Sequence, residues 1–130
     1  MLDMVYYLLT QDTDVNTATS GRITTDLRVQ TQDTPAITIE YVSSEDLYYS
    51  KDSCKHYIYT IDIYVFTKTI GECDTLMKQV AAVVDRYSGT ETLSTGNTYT
   101  VSNIQIQNRD IDVMAEADMV EGQLSLRITA

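Results

Sequence analysis

Between Lys55 and Gly89 the chain alternates at period two and then, after a two-residue break, switches to helical spacing. No other stretch leaves a fold so little freedom. In HYIYTIDIYVF, successive side chains of a strand point to opposite faces. Tyr57, Tyr59, Ile61, Ile63 and Val65 fall on one face, and Ile58, Thr60, Asp62, Tyr64 and Phe66 on the other. The first is apolar or aromatic throughout, so it is predicted to pack on a core. The second carries a carboxylate at its centre and is predicted to be partly wet.

A helix is predicted to follow at once. Thr69 with Glu72 three residues later has the pattern of a capping box. Glu72 and Asp74 place negative charge in the first turn, where the helix dipole favours it. Cys73, Leu76, Met77, Val80, Val83, Val84 and Tyr87 recur at spacings of three and four and form one apolar stripe. Asp74, Lys78, Ala81, Ala82 and Asp85 are predicted on the other side, with Gly89 as a left-handed C-terminal cap.

The 130 residues leave room for one domain, 1–130, with a core that needs no staples. Cys54 falls in a polar stretch and Cys73 on the helix stripe, which predicts two free thiols in a reducing compartment. Residues 1–10 lack the basic start and small-residue site of a signal peptide. No apolar run approaches the roughly 20 residues of a membrane span. A soluble chain made in a cytoplasm, with no membrane partner, is expected. Its formal charge of −10 argues against gripping nucleic acid, because Lys and Arg on phosphates supply most non-specific affinity. It allows a surface that nucleic acid passes without sticking, although solubility alone also accounts for it.

Leu2, Val5, Leu8 and Leu9 predict a short N-terminal helix that ends near Thr10. Residues 10–34 read as a long polar connection in which Arg22 to Val29 allows a short strand. A connection this long in a small domain is seldom idle. Pro35 opens a strand with Ile37, Ile39 and Tyr41 on one face and Ala36, Thr38 and Glu40 on the other. Ser43 to Lys55 reads as a polar loop or an extended hairpin arm carrying Leu47, Tyr48 and Tyr49. Those side chains either meet a partner or fold back over the sheet.

Thr90 to Thr98 is predicted as a turn, and Tyr99 to Gln107 as a strand with Ile104 and Ile106 inward. Ile111 and Val113 then resume on the opposite parity, which predicts a bulge or bend at Asn108 to Asp110. Glu116 to Gly122 reads as a turn. Gln123 to Ala130 reads as a closing strand with Leu124, Leu126 and Ile128 inward. The assembled expectation is an α+β fold: a mostly antiparallel four-stranded sheet, an N-terminal helix, one long helix on one face and long polar loops. The long helix is expected to cover Ile39, Ile61, Ile63, Ile106 and Leu126.

Catalytic arrangements are largely missing. His56 is the sole histidine, and Cys54, His56 and Cys73 lack the paired spacing of a zinc site. Cys54 and His56 give no evidence of a poised nucleophile pair. The glycines form no phosphate loop. Asp12 and Asp14 start a calcium-loop pattern that Val15, Asn16 and Thr17 do not complete, and Asp110 with Asp112 reads as a solvated pair. The chain is expected to be no enzyme and to carry no metal or cofactor. Surface remains: Ile58, Tyr64 and Phe66 are too apolar to be left wholly in water, so a second subunit or the long N-terminal connection must cover them.

The order of these features resembles the tail-completion or tail-terminator family of tailed bacteriophages. The likeness is carried by Pro35-Ala36-Ile37-Thr38-Ile39-Glu40-Tyr41, and by Tyr59-Thr60-Ile61-Asp62-Ile63-Tyr64-Val65 running through Lys68 into the helix. Val83, Val84 and Tyr87-Ser88-Gly89, then Ile104 to Asp112 and Leu124 to Ile128, complete it. The departures are the polar segment from Thr10 to Thr34 and the arm from Ser43 to Lys55. The resemblance implies a structural virion protein at the tail–neck junction: a ring, usually hexameric, that caps the tail tube, ends its polymerisation and joins the head connector while DNA passes. Its implied partners are copies of itself, the tail tube protein and the connector or stopper proteins. Leu47, Tyr48, Tyr49, Tyr64 and Phe66 are the expected subunit or partner contacts, and Asp12, Asp14, Asp110 and Asp112 the expected lumen acids. Two other readings stand beside it: a head-completion or stopper protein of the neck, and a non-viral intracellular module with a peptide-binding edge.

Overall fold

The long strand sits at the middle of the structure, a computed structural model that describes residues 1–25, 33–48, 55–114 and 118–130. Within them the side chains of Leu47, Tyr48 and Lys55 are not described. The elements are α1 (Leu2–Gln11), α2 (Thr13–Thr19), β1 (Ile23–Thr25), β2 (Ala36–Tyr48), β3 (Lys55–Thr67), α3 (Ile70–Val84), β4 (Gly89–Thr92), β5 (Thr98–Val101), β6 (Asn103–Met114) and β7 (Met119–Thr129). A five-stranded sheet has the order β1-β2-β3-β7-β6, and β4 and β5 form a separate two-stranded sheet. Only β1 with β2 runs parallel in the larger sheet. The α+β class therefore stands, but the sheet is mixed and has one strand more than the four expected.

The face of β3 that reads as apolar is the buried one. Ile61, Ile63 and Val65 are wholly enclosed. Ile63 lies between Ile39 of β2 and Leu124 of β7, and Ile61 beside Leu126. Tyr57 departs from the expectation: at 37% it is exposed, at the end of the sheet where its backbone exchanges two hydrogen bonds with Ala130, the residue after β7. Helix α3 packs across β3, β7 and β6, while α1 packs over β1 and β2 and against α3.

Helix α3 begins as predicted, the Glu72 N–H donating to the Thr69 hydroxyl at 3.2 Å. Cys73, Leu76, Met77, Val80 and Val84 are buried, and so is Ala81, which the spacing places on the far side. The helix does not end at Gly89. Asp85 is extended, Arg86 takes the left-handed conformation (φ 62°), and the Arg86 N–H donates to the Ile104 carbonyl at 2.7 Å. That bond to β6 sets the exit of the chain, and Gly89 instead opens β4.

Several polar stretches are more regular than their composition indicates. Thr13–Thr19 forms α2, with the Val15 N–H donating to the Asp12 carboxylate at 3.0 Å. Thr90–Thr98 contributes to the β4–β5 hairpin, which Tyr99 ties to α1 by donating to Asp3 Oδ2 at 2.9 Å. Residues 43–48 continue β2 and pair with β3 to Tyr48 and Lys55, so this stretch is an extended arm and not a loop. The tip of the arm, with Tyr49 and Cys54, lies outside the described residues. In β6 the register shifts between Ile106 and Asn108, which puts the bulge at Gln107, one residue earlier than expected. β7 starts at Met119, so Gly122 is strand and not turn.

Gly122 is where α3 meets the sheet most closely. A Cβ there would lie 2.7 Å from Cys73 Sγ and closer still to Met77 Sδ. Gly71, in the first turn of the same helix, has nothing within 4 Å of an added Cβ. Gly122→Ala is expected to destabilise the fold by about 1–3 kcal/mol through overpacking. Gly71→Ala is expected to stabilise it by about 0.5–1 kcal/mol through helix propensity. Denaturant unfolding of the two variants checks the pair, and equal signs would contradict this packing.

Candidate functional site

Both helical layers lie on one side of the sheet, so the other side is bare of helices among the described residues. Alternation along each strand sets what that side displays. Pairing aligns Glu40 with Asp62, Asp62 with Ser125, Tyr64 with Thr38 and Gln123, Phe66 with Glu121, and Glu121 with Asp112. Asp110 lies beside Gln123. This is an acidic surface with two aromatic rings set into it. Tyr64 and Phe66 are half-buried and Ile58 is buried, while Asp110 and Asp112 are exposed.

The charges on this face act on one another. Gln123 Nε2 donates to Asp62 Oδ2 at 3.1 Å. Burial, then the Asp62 and Glu40 carboxylates and lastly Glu121, push the Tyr64 hydroxyl up to about 12. Burial and the neighbouring Asp112 carboxylate push Glu121 above its ordinary value. Among the described residues no cation is ion-paired with Asp110, Asp112 or Glu121. Negative charge is therefore crowded here, with no ion pair to neutralise it among the described residues.

The sequence-derived candidates are sorted by this geometry. Tyr64 and Phe66 share the open face with Asp110 and Asp112, which residue spacing did not reveal because the strands involved pair through β7. Asp12 and Asp14 belong to the helical side: Asp12 caps α2, Asp14 lies in its first turn, and α2 packs on α1 and α3. Backbone at Leu47 and Tyr48 is part of the arm, while their side chains and Tyr49 fall outside the description. Glu40, Asp62 and Glu121 join the face only through strand register. Alternation in the sequence puts Asp62 at the centre of one β3 face and Glu40 on the face of β2 away from Ile37 and Ile39, and it gives no sign of Glu121.

No metal-holding group of three or more His, Cys, Asp or Glu side chains occurs among the described residues. Cys73 is buried under α3, its thiol 3.7 Å from Met77 Sδ and pushed up by burial. His56 belongs to the opposite face of the sheet, so these two do not meet. No helix among the described residues is long and apolar enough to cross a membrane.

Comparison with known proteins agrees with this architecture. The family model described as "Tail completion protein gp17" matches residues 3–130. No curated protein matches the chain. Among 26 matching chains of solved structures is one from the "Virion of native gene transfer agent (GTA) particle". It superposes with a TM-score of 0.66 at 11% identity, over 96% of this chain and 90% of that one. At such identity the likeness is one of fold.

The raised Glu121 carboxyl gives a signed prediction. A group whose folded value lies above its unfolded one adds stability below the unfolded value and loses it as pH rises through the folded value. Wild-type stability relative to Glu121→Gln should therefore fall as pH climbs above 4.5, the ordinary glutamate value. At pH 7 the Gln variant should be the more stable. Asp112→Asn should shrink the difference. Urea titrations of the three proteins between pH 4 and pH 7 would reveal it, and a pH-independent difference would remove Asp112 and burial as causes.

Proposed function

Since the chain belongs to the tail completion protein gp17 family, and is thereby a structural protein of a phage virion that completes the tail, we propose that it closes the tail tube as a ring of identical copies. In this reading residues 1–130 act as one unit at the tail–neck junction. The ring, hexameric as the family resemblance implies, ends tube polymerisation and offers its far side to the head connector. No catalytic role is part of it.

The observation that carries the reading is the whole-chain family match joined to a sheet with one helix-free face. A block of this kind suits a head-to-tail contact that closes by rotation. Tyr64 and Phe66 supply apolar area on the helix-free face, and the backbone of Leu47 and Tyr48 continues β2 as the arm; these four, with Tyr49 next in sequence, are the proposed subunit or tail contacts. Tyrosine is favoured in such places because it buries area while keeping a polar tip.

The negative charge fits a passage for DNA, since a lumen lined by carboxylates repels phosphate and prevents adhesion. Four acids are candidates, in two pairs on opposite sides of the sheet, so a lumen wall formed by one side takes one pair. We assign Asp12 and Asp14 to the wall first, because Asp110 and Asp112 flank the outer edge of β6, which pairs with no described strand and suits a protein contact. Replacing either pair by asparagine and timing DNA ejection from particles separates the two assignments.

The role itself is tested in the particle. Cells lacking the protein should yield tail tubes of uncontrolled length and heads without joined tails, and labelled copies should appear at the tail–head junction. Absence of the label from virions, or its location on fibres, would end this reading. Tyr48→Ala with Tyr49→Ala should keep the melting curve and reduce ring assembly; normal assembly by that double variant would remove the arm from the contact.

A further inference from the structure

The larger sheet ends in β6, whose outer edge has no partner strand among the described residues. At one end that edge is already used, because the Ile104 carbonyl accepts from Arg86. Past the bulge at Gln107, from Asn108 to Met114, no described strand pairs with it. Long open edges are a hazard that proteins ordinarily shorten, cover or blunt with charge.

Two rows of side chains flank this open edge. Asp110 and Asp112 are exposed on the helix-free face, with Glu121 next inward and no cation paired to any of the three among the described residues. On the opposite face stand Ile111 and Val113, 37% and 55% exposed. They sit beside Gly122 and Val120 of β7, residues that α3 and the core already bury. Ile111 and Val113, with exposed Arg109 at the head of their row, and an acidic row on the other face thus border the same edge, along which the Ile111 N–H is taken by Asp110 Oδ1 at 2.9 Å.

We propose that the β6 edge from Asn108 to Met114 accepts an extended segment of another protein, with basic residues alternating with apolar ones, as an added strand. Strand addition draws affinity from main-chain hydrogen bonds and selectivity from alternate side chains. A strand laid along β6 places every second side chain about 5 Å from Asp110 or Asp112, and the others against Ile111 and Val113. Charge decides between occupants. A second copy brings acids on either edge: β2 beyond its described pairs with β1 carries Glu40, Glu45 and Asp46, β6 carries Asp110 and Asp112, and the whole chain bears −10. Acids facing acids disfavour self-pairing, whereas a basic strand gains from both rows. The inference names a binding edge of the free protein and does not depend on the ring.

The full-length chain is titrated with a short fluorescent peptide of alternating lysine and valine. A glutamate–valine peptide and a peptide of the same lysine and valine content in two blocks serve as comparisons. The alternating basic peptide should bind, slow amide exchange across 108–114, and lose affinity as salt is raised. Asp110→Asn with Asp112→Asn, at two exposed positions, should weaken binding by about tenfold at low salt. Equal binding of the block or acidic peptide, indifference to the double variant, or protection confined to residues 40–48 would each overturn the proposal. So would association of the protein with itself through β6 in the absence of peptide. None of these results bears on whether the protein is found at the tail–head junction.

Discussion

The seating of α3 on the sheet at Gly122 is the contact that organises the rest. A missing Cβ lets Cys73 and Met77 reach the sheet backbone, so the helix lies low enough to enclose Ile61, Ile63, Leu124 and Leu126. Interiors are close-packed, and a shift of one methylene in such a place is felt across the layer. Once α3 is down, α1 and α2 have one flank to pack on, and both helices join it on the same side. Among the described residues the other side of the sheet carries no helical layer.

That asymmetry gives the molecule its outward character. One side is a hydrocarbon core beneath helices. The other is a pleated surface on which carboxylates from four strands stand beside Tyr64 and Phe66. Tyr64 shows the effect of the crowding, its proton held by burial and by the carboxylates of Asp62 and Glu40. Such a surface resists anions and another acidic copy laid face to face. It tolerates a partner that brings cations or covers the rings.

The departures from the sequence-based expectation have separate physical causes. Helix α2 is built from threonine, valine, asparagine and aspartate, residues of modest helix propensity, and is held by the Asp12 cap and by packing on α1 and α3. α3 ends before Gly89, the residue type usual in a left-handed position after a helix, because here Arg86 takes that conformation and is held by the Ile104 carbonyl. The arm was ambiguous because Ser43 to Tyr48 is polar, yet pairing with β3 satisfies its backbone regardless of side chains. The half of the candidate site on β3 was legible as an alternation around Asp62. Glu121 is not, because the alternation from Gln123 to Ala130 gives no sign that the strand begins at Met119.

Local pattern alone determined the strand–helix unit from Lys55 onward, which of its faces is buried, the cap at Thr69 and the change of parity in β6. Each follows from side-chain periodicity or from a bond between near neighbours, and neither depends on what the element packs against. Tertiary structure alone decided the strand order, the parallel edge at β1, the close approach at Gly122 and the meeting of Asp112 with Glu121. These are contacts between residues far apart in the chain, chosen by which packing encloses most apolar surface, and a single strand's pattern carries no record of its neighbour.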